Sequence, residues 1–116
     1  LSRFHQDILS DSSILKKIFT EKEVRYCESK LHPTQHYGVR YAGKEAVVKA
    51  FQCYGIRIPL NRIEILNRKN GIPFVTILDR NVGNFEIKIS LSHSDTIAAA
   101  VAVVCEKPLG KHEYSD

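Results

Sequence analysis

The chain reads as an α+β domain, with a helical first half packed on a small antiparallel sheet. Up to about Gly55 the apolar residues recur at helical intervals, whereas beyond Arg62 they alternate with polar ones as on a half-buried strand. Between two of the alternating runs lies Asn70-Gly71, a pair suited to a tight hairpin turn. Helices first and antiparallel strands afterwards is the order of an α+β fold.

In the first stretch, Leu1, Phe4, Ile8 and Leu9 fall at helical spacing, so a helix is expected from Leu1 to about Leu9. A second short helix, Ser12 to Phe19, follows the cap-like Asp11-Ser12-Ser13. Thr20-Glu21-Lys22-Glu23 is a capping box, in which a Thr oxygen and a Glu carboxylate satisfy free amides at a helix start. That helix runs through Val24, Tyr26 and Cys27 to about Lys30, and Leu31-His32-Pro33 breaks it. One long helix then opens near Thr34 and ends by Gly55. Its Ala42, Ala46, Val47, Ala50 and Phe51 form an apolar stripe that must be buried, while Tyr41, Glu45 and Lys49 share another stripe.

In the second half, Arg62 to Leu66 alternates as a strand, and Ile72 to Leu78 returns after the Asn70-Gly71 turn. Pro73 sits near the start of the returning strand, where a missing donor is tolerable. Asp79 to Asn84 is a loop, after which Phe85 to Ile89 alternates again and runs into Ser90-Leu91-Ser92-His93-Ser94. The last strand, Ile97 to Cys105, is apolar on both faces and is expected to be central and covered. Residues 1–105 are expected to form a single domain, with 106–116 a loose tail.

The 17 basic and 13 acidic residues leave a charge of +4, a mild bias toward anionic partners such as phosphates or acidic proteins. The longest apolar run, Ile97 to Cys105, is strand-sized, so no membrane span and no signal peptide are expected. Cys27, Cys53 and Cys105 lack any C-x-x-C spacing and read as reduced packing residues of a cytoplasmic protein. The chain has no methionine and begins Leu-Ser-Arg-Phe, so a segment upstream is expected to have been removed or to belong to a longer polypeptide.

Arg40, Lys44 and Lys49 surround Glu45 on the long helix. This pattern is most commonly an ordinary solvated ion-pair face, and it also fits a site where Glu45 holds a cation while the bases hold a polyphosphate. Ser90 to Ser94 is open in the same way: a polar turn, a set of donors for phosphate oxygens at a strand end, or a Ser-His nucleophile pair. The last lacks a Gly-x-Ser-x-Gly elbow and an acid to orient the histidine. His32 and His36 straddle Pro33-Thr34 and read as solvated loop histidines; His5 and His112 carry no signal. Arg57, Arg62, Arg68, Lys69 and Arg80 are scattered and not interleaved with exposed aromatics, so no nucleic-acid interface is expected.

Four pieces in fixed order resemble the holo-[acyl-carrier-protein] synthase family of 4′-phosphopantetheinyl transferases. They are Arg40-Tyr-Ala-Gly-Lys44-Glu45-Ala-Val-Val-Lys49-Ala-Phe51, Gly55-Ile-Arg57 leading to Ile63-Glu64-Ile65, Asn70-Gly71-Ile72-Pro73, and Ser90-Leu-Ser92-His93-Ser94 followed by Ala98-Ala-Ala100. The resemblance implies transfer of the phosphopantetheine arm of coenzyme A to a serine of an acyl carrier protein in fatty-acid or polyketide synthesis, releasing adenosine 3′,5′-bisphosphate. By the same resemblance, Glu45 matches a magnesium (Mg2+) ligand and Lys49 a general base or charge-stabilising lysine beside the reacting phosphate. Lys44, Ser92 and His93 match positions that hold the coenzyme A phosphates. The family is trimeric with active sites between subunits, and its basic first helix, here with Arg3, is where the acidic carrier docks.

The family's Gly-x-Asp-Ile segment, whose Asp is a second magnesium ligand, has no counterpart before Leu1, and that Asp is expected upstream. Asp7 follows Arg3-Phe4 and does not take the role. Two alternatives stay open: a degenerate member that binds coenzyme A or a carrier protein without turnover, and a small basic nucleic-acid module with steeply salt-dependent binding.

Overall fold

The computed structural model describes residues 12–107. The expected first helix, Arg3 and the last nine residues of the tail lie outside the described residues. Two short helices, α1 (Ser12–Ile18) and α2 (Glu21–Glu28), lead into the long α3 (Pro33–Gln52). The capping box forms as its chemistry dictates: Glu23 N–H donates to Thr20 Oγ1 at 3.2 Å, and Thr20 N–H donates to the Glu23 carboxylate at 2.9 Å. Pro33 opens α3 rather than breaking the chain before it, because its fixed φ suits a first helical turn whose amide would be unpaired anyway. At the other end Gly55 takes φ 72°, and the Ile56 amide closes on Phe51 O at 3.2 Å.

After a 3₁₀ turn (Leu60–Arg62), β1 (Ile63–Asn67) pairs antiparallel with β2 (Pro73–Ile77), Ile63 opposite Ile77 and Asn67 opposite Pro73. The connection is longer than a two-residue turn. Gly71 is left-handed at φ 91° and its amide donates to Arg68 O, while Asn70 instead accepts from the Ile72 amide with its side chain. β3 (Phe85–His93) pairs with β4 (Ala98–Glu106), Phe85 opposite Glu106 and His93 opposite Ala98. Among the described residues the expected single sheet is thus two two-stranded ladders.

Helix α3 lies across both ladders. A Cβ on Gly43 would sit 2.8 Å from Ile65 on β1 and 3.0 Å from Leu91 on β3, so glycine is what allows this close approach. Val47, Phe51, Ile58, Ile63 and Ile65 form the core beneath α3, and Ile18, Phe19, Cys27 and Tyr37 form a second cluster among the helices. Cys27 is packed as expected, and burial pushes its thiol up to about 12. Cys53 and Cys105 are free and exposed, which corrects their reading as packing residues.

β4 is the main departure. Exposure alternates along it, leaving Val101 65% and Val103 52% exposed, so it is neither central nor covered on both faces. Helix α3 covers one face, and no described element covers the other. Glu106, expected in the tail, is the last residue of β4, and the Lys107 amide donates to Asn84 O at 2.9 Å. No described helix is long and apolar enough to cross a membrane.

Candidate active site

The sequence-predicted residues divide among four environments. Tyr41, Glu45 and Lys49 share one stripe of α3, with Glu45 half-buried and Lys49 exposed. Tyr41 hydrogen-bonds Glu45; burial first, then the Glu45 charge and that bond, raise its phenol above the ordinary range.

Lys44 is not on that surface. Its side chain is fully buried, 2.6 Å from Glu23, and its ammonium also donates to Leu60 O and Ile63 O. The other Glu23 oxygen accepts from the Ile65 amide at 2.6 Å. Burial drives Glu23 upward and Lys44 downward, toward their neutral forms, and their mutual attraction opposes both. Within one chain this lysine is a structural tie among α2, α3 and β1, and its ammonium is occupied by protein acceptors. With Arg40 also buried, the picture of one acid surrounded by three solvated bases does not survive; Lys49 is the base left exposed beside Glu45.

Arg40 lines a cavity of about 170 Å³ with Tyr26, His36, Asn67, Leu91 and His93. Its guanidinium lies 4.3 Å above the Tyr26 ring and donates to Ile65 O at 3.1 Å, to His36 O at 3.4 Å and to Asn67 Oδ1. Other guanidinium N–H groups remain unused, and no carboxylate pairs with Arg40 among the described residues. A buried cation matched only by neutral acceptors favours an anion in the adjoining space. His93, at the end of β3, brings its ring 5.6 Å from that of His36, which is half-buried on α3 rather than solvated in a loop.

Ser92 and His93 do not converge, because neighbours on a strand point to opposite faces. Ser92 stands opposite Ala99, on the outward face shared with Val101, while His93 borders the cavity. This geometry opposes a Ser-His nucleophile pair. Sequence reasoning missed that His36 and Asn67 line this cavity with Arg40; His36 and Arg40 lie four positions apart on one helix face, and that spacing was the available signal.

A magnesium ion takes one or two carboxylates, with water and substrate oxygens filling the rest of its shell. Glu45 fits such a site; among the described residues no group of three or more His, Cys, Asp or Glu side chains could hold a metal by itself.

The chain matches, over residues 1–104, the family described as ACPS, 4′-phosphopantetheinyl transferase superfamily. It belongs to that superfamily. Among relatives, the holo-[acyl-carrier-protein] synthase of Moorella thermoacetica is 37% identical over 110 residues, covering 90% of this chain and 86% of the relative. That of Syntrophus aciditrophicus is 35% identical over 101 residues, covering 81% and 79%. The solved acyl carrier protein synthase of Mycobacterium tuberculosis superposes with a TM-score of 0.66 at 28% identity, covering 86% of this chain and 90% of that one. The holo-[acyl-carrier-protein] synthase of Helicobacter pylori, solved in complex with coenzyme A, shares the superfamily fold with a TM-score of 0.74 at 23% identity, covering 90% and 92%.

Proposed function

We infer that this chain catalyses the holo-[acyl-carrier-protein] synthase reaction. It moves 4′-phosphopantetheine from coenzyme A to a serine of an apo acyl carrier protein. The serine oxygen forms a new bond to the phosphorus bearing the pantetheine arm. The bond from that phosphorus to the bridging oxygen breaks, the serine proton passes to a base, and adenosine 3′,5′-bisphosphate leaves with the bridging oxygen. The observation that carries this reading is the superfamily match over residues 1–104, which takes in both the Glu45–Lys49 helix face and the Ser92–His93 strand end.

Roles follow from position. Glu45 is read as one magnesium ligand, with a second, an Asp, expected upstream of Leu1, and bound magnesium would neutralise charge on the diphosphate oxygens. Lys49, exposed one turn further on, is the candidate base or charge stabiliser. Arg40 and His93 bind a coenzyme A phosphate in the cavity they share.

These groups require more than one copy. His36 and Glu45 are nine positions apart on α3, which is roughly 180° around a helix, so Glu45 and Lys49 face away from the cavity containing His93. A site using both sets takes Glu45 and Lys49 from one subunit and His93 from its neighbour, as a trimer with intersubunit sites would. The uncovered β4 face with Val101 and Val103 is an apolar surface suited to that contact. Val103→Glu is expected to dissociate the assembly, seen by light scattering as a monomer mass, and to abolish transfer although Glu45 and His93 are untouched. An active, undissociated variant would remove β4 from the interface.

The reaction is tested by the intact mass of an apo acyl carrier protein incubated with this chain and coenzyme A, with and without magnesium. A gain of one phosphopantetheine that requires the metal is expected. Coenzyme A binding without any gain would instead identify a binder that does not turn over.

A further inference from the structure

The cavity of Arg40 and His93 is also lined by an imidazole the reaction has not used, that of His36. We propose that His36 is a substrate-binding residue, donating with Arg40 and His93 to a phosphate group of coenzyme A and making its binding proton-linked. The proposal rests on reading the cavity of Arg40 and His93 as a phosphate site.

Three independent features point there. First, the fold brings His36 to the cavity from α3 and His93 from the end of β3, and neither imidazole hydrogen-bonds a protein group among the described residues, so both have ring nitrogens to offer. Second, His36 is held in place: its ring packs edge-on against Tyr26 at 5.9 Å and against His93 at 5.6 Å, and its carbonyl accepts from Arg40. Third, the charges around it have one sign. Lys30 lies over Tyr26 on the α2 side, His32 and Arg40 flank it in sequence, and His93 faces it from β3. Asn67 on β1 is neutral, and the nearby Asp95 is engaged by Gln35 at 3.1 Å.

Burial first, then Arg40, His93, Lys30 and His32, hold the His36 imidazole below its ordinary range, so it is neutral in the free protein near neutral pH. A phosphate in the cavity reverses the balance, because an anion favours the imidazolium. The bound-state value then lies above the free-state value. Between the two, binding takes up a proton, and affinity rises as pH falls through that window.

The test is calorimetric titration of the full chain with coenzyme A, in buffers of differing ionisation enthalpy and over a range of pH. His36→Phe keeps an aromatic ring against Tyr26 and His93 but has no donor, while His36→Gln keeps a donor that cannot titrate. We expect His36→Phe to bind roughly ten- to a hundredfold more weakly below neutrality, and the proton uptake to fall in both variants. We expect His36→Gln to recover part of the affinity without the uptake, a split that a purely packing role would not produce. Comparison with the unsubstituted chain separates His36 from titration of the phosphate itself. With 3′-dephospho-coenzyme A, loss of the difference between the unsubstituted chain and His36→Phe assigns the contact to the 3′-phosphate, and persistence assigns it to the diphosphate; both support the proposal. Unchanged affinity and uptake in His36→Phe, with binding weakened in His93→Ala, would overturn the role of His36 and leave the site standing. Unchanged binding in both would overturn the phosphate site as well.

Discussion

Replacing Lys44 with methionine lowers the free energy of unfolding by about 3–5 kcal/mol, because it strips the counter-ion from a carboxylate held in the core. Lys44 and Glu23 are both fully buried and 2.6 Å apart. Every acceptor around the ammonium is committed: Glu23, Leu60 O and Ile63 O. Removing the lysine leaves Glu23 charged without a partner, or forces it to take a proton. The loss is read from urea unfolding at fixed chain concentration, where the midpoint falls while the slope is unchanged. The double variant Glu23→Leu/Lys44→Met recovers only part of the loss. It removes both charges, yet the Thr20 and Ile65 amides that donate to Glu23 at 2.9 Å and 2.6 Å lose their acceptor. A single-variant loss below about 1 kcal/mol, the scale of an exposed pair, would show that the pair is solvated. Lys44→Met would then be expected to act on coenzyme A affinity, as the family resemblance implies.

That contrast shows what a sequence makes legible. The Thr20–Glu23 capping box could be read directly, because its partners are three residues apart and its geometry is local. The long helix and the four strands followed from period, the strand ends displaced by about a residue and the helix stopping at Gln52, three residues short of Gly55. The burial of Lys44 and Arg40 was not legible because their partners are remote in the chain. Glu23, Ile65 and Asn67 reach them only after the strands have docked on α3. His36 lay inside the helix expected from Thr34 onward, and its reading as a loop histidine set that aside; its ring instead packs against Tyr26 and His93, contacts that only the folded chain brings together. β4 was correctly read as apolar on both faces. The inference that the same chain covers both faces failed, since α3 covers one, and the other is what a neighbouring copy would bury.

Glu45→Gln is expected to cut transfer by at least about a hundredfold, the scale for losing one group that stabilises transition-state charge, while leaving the fold intact. The two halves of this expectation have separate causes. Activity falls because glutamine keeps the size of the side chain but not the negative charge that a hard divalent cation requires. Stability holds because Glu45 lies half-exposed on the outward stripe of α3, where Tyr41 is its hydrogen-bonding partner and an amide oxygen can still accept from a phenol. The carrier protein's intact mass over time reports the first half, and thermal unfolding beside the unsubstituted chain reports the second. Coenzyme A binding without metal separates this residue from the phosphate cavity. It should change little in Glu45→Gln and weaken in His93→Ala, because Glu45 and the cavity lie on opposite sides of α3 within one chain. Full transfer by Glu45→Gln would remove Glu45 as the metal ligand. Lost transfer with a lowered unfolding temperature would mean that the carboxylate supports the helix rather than the reaction.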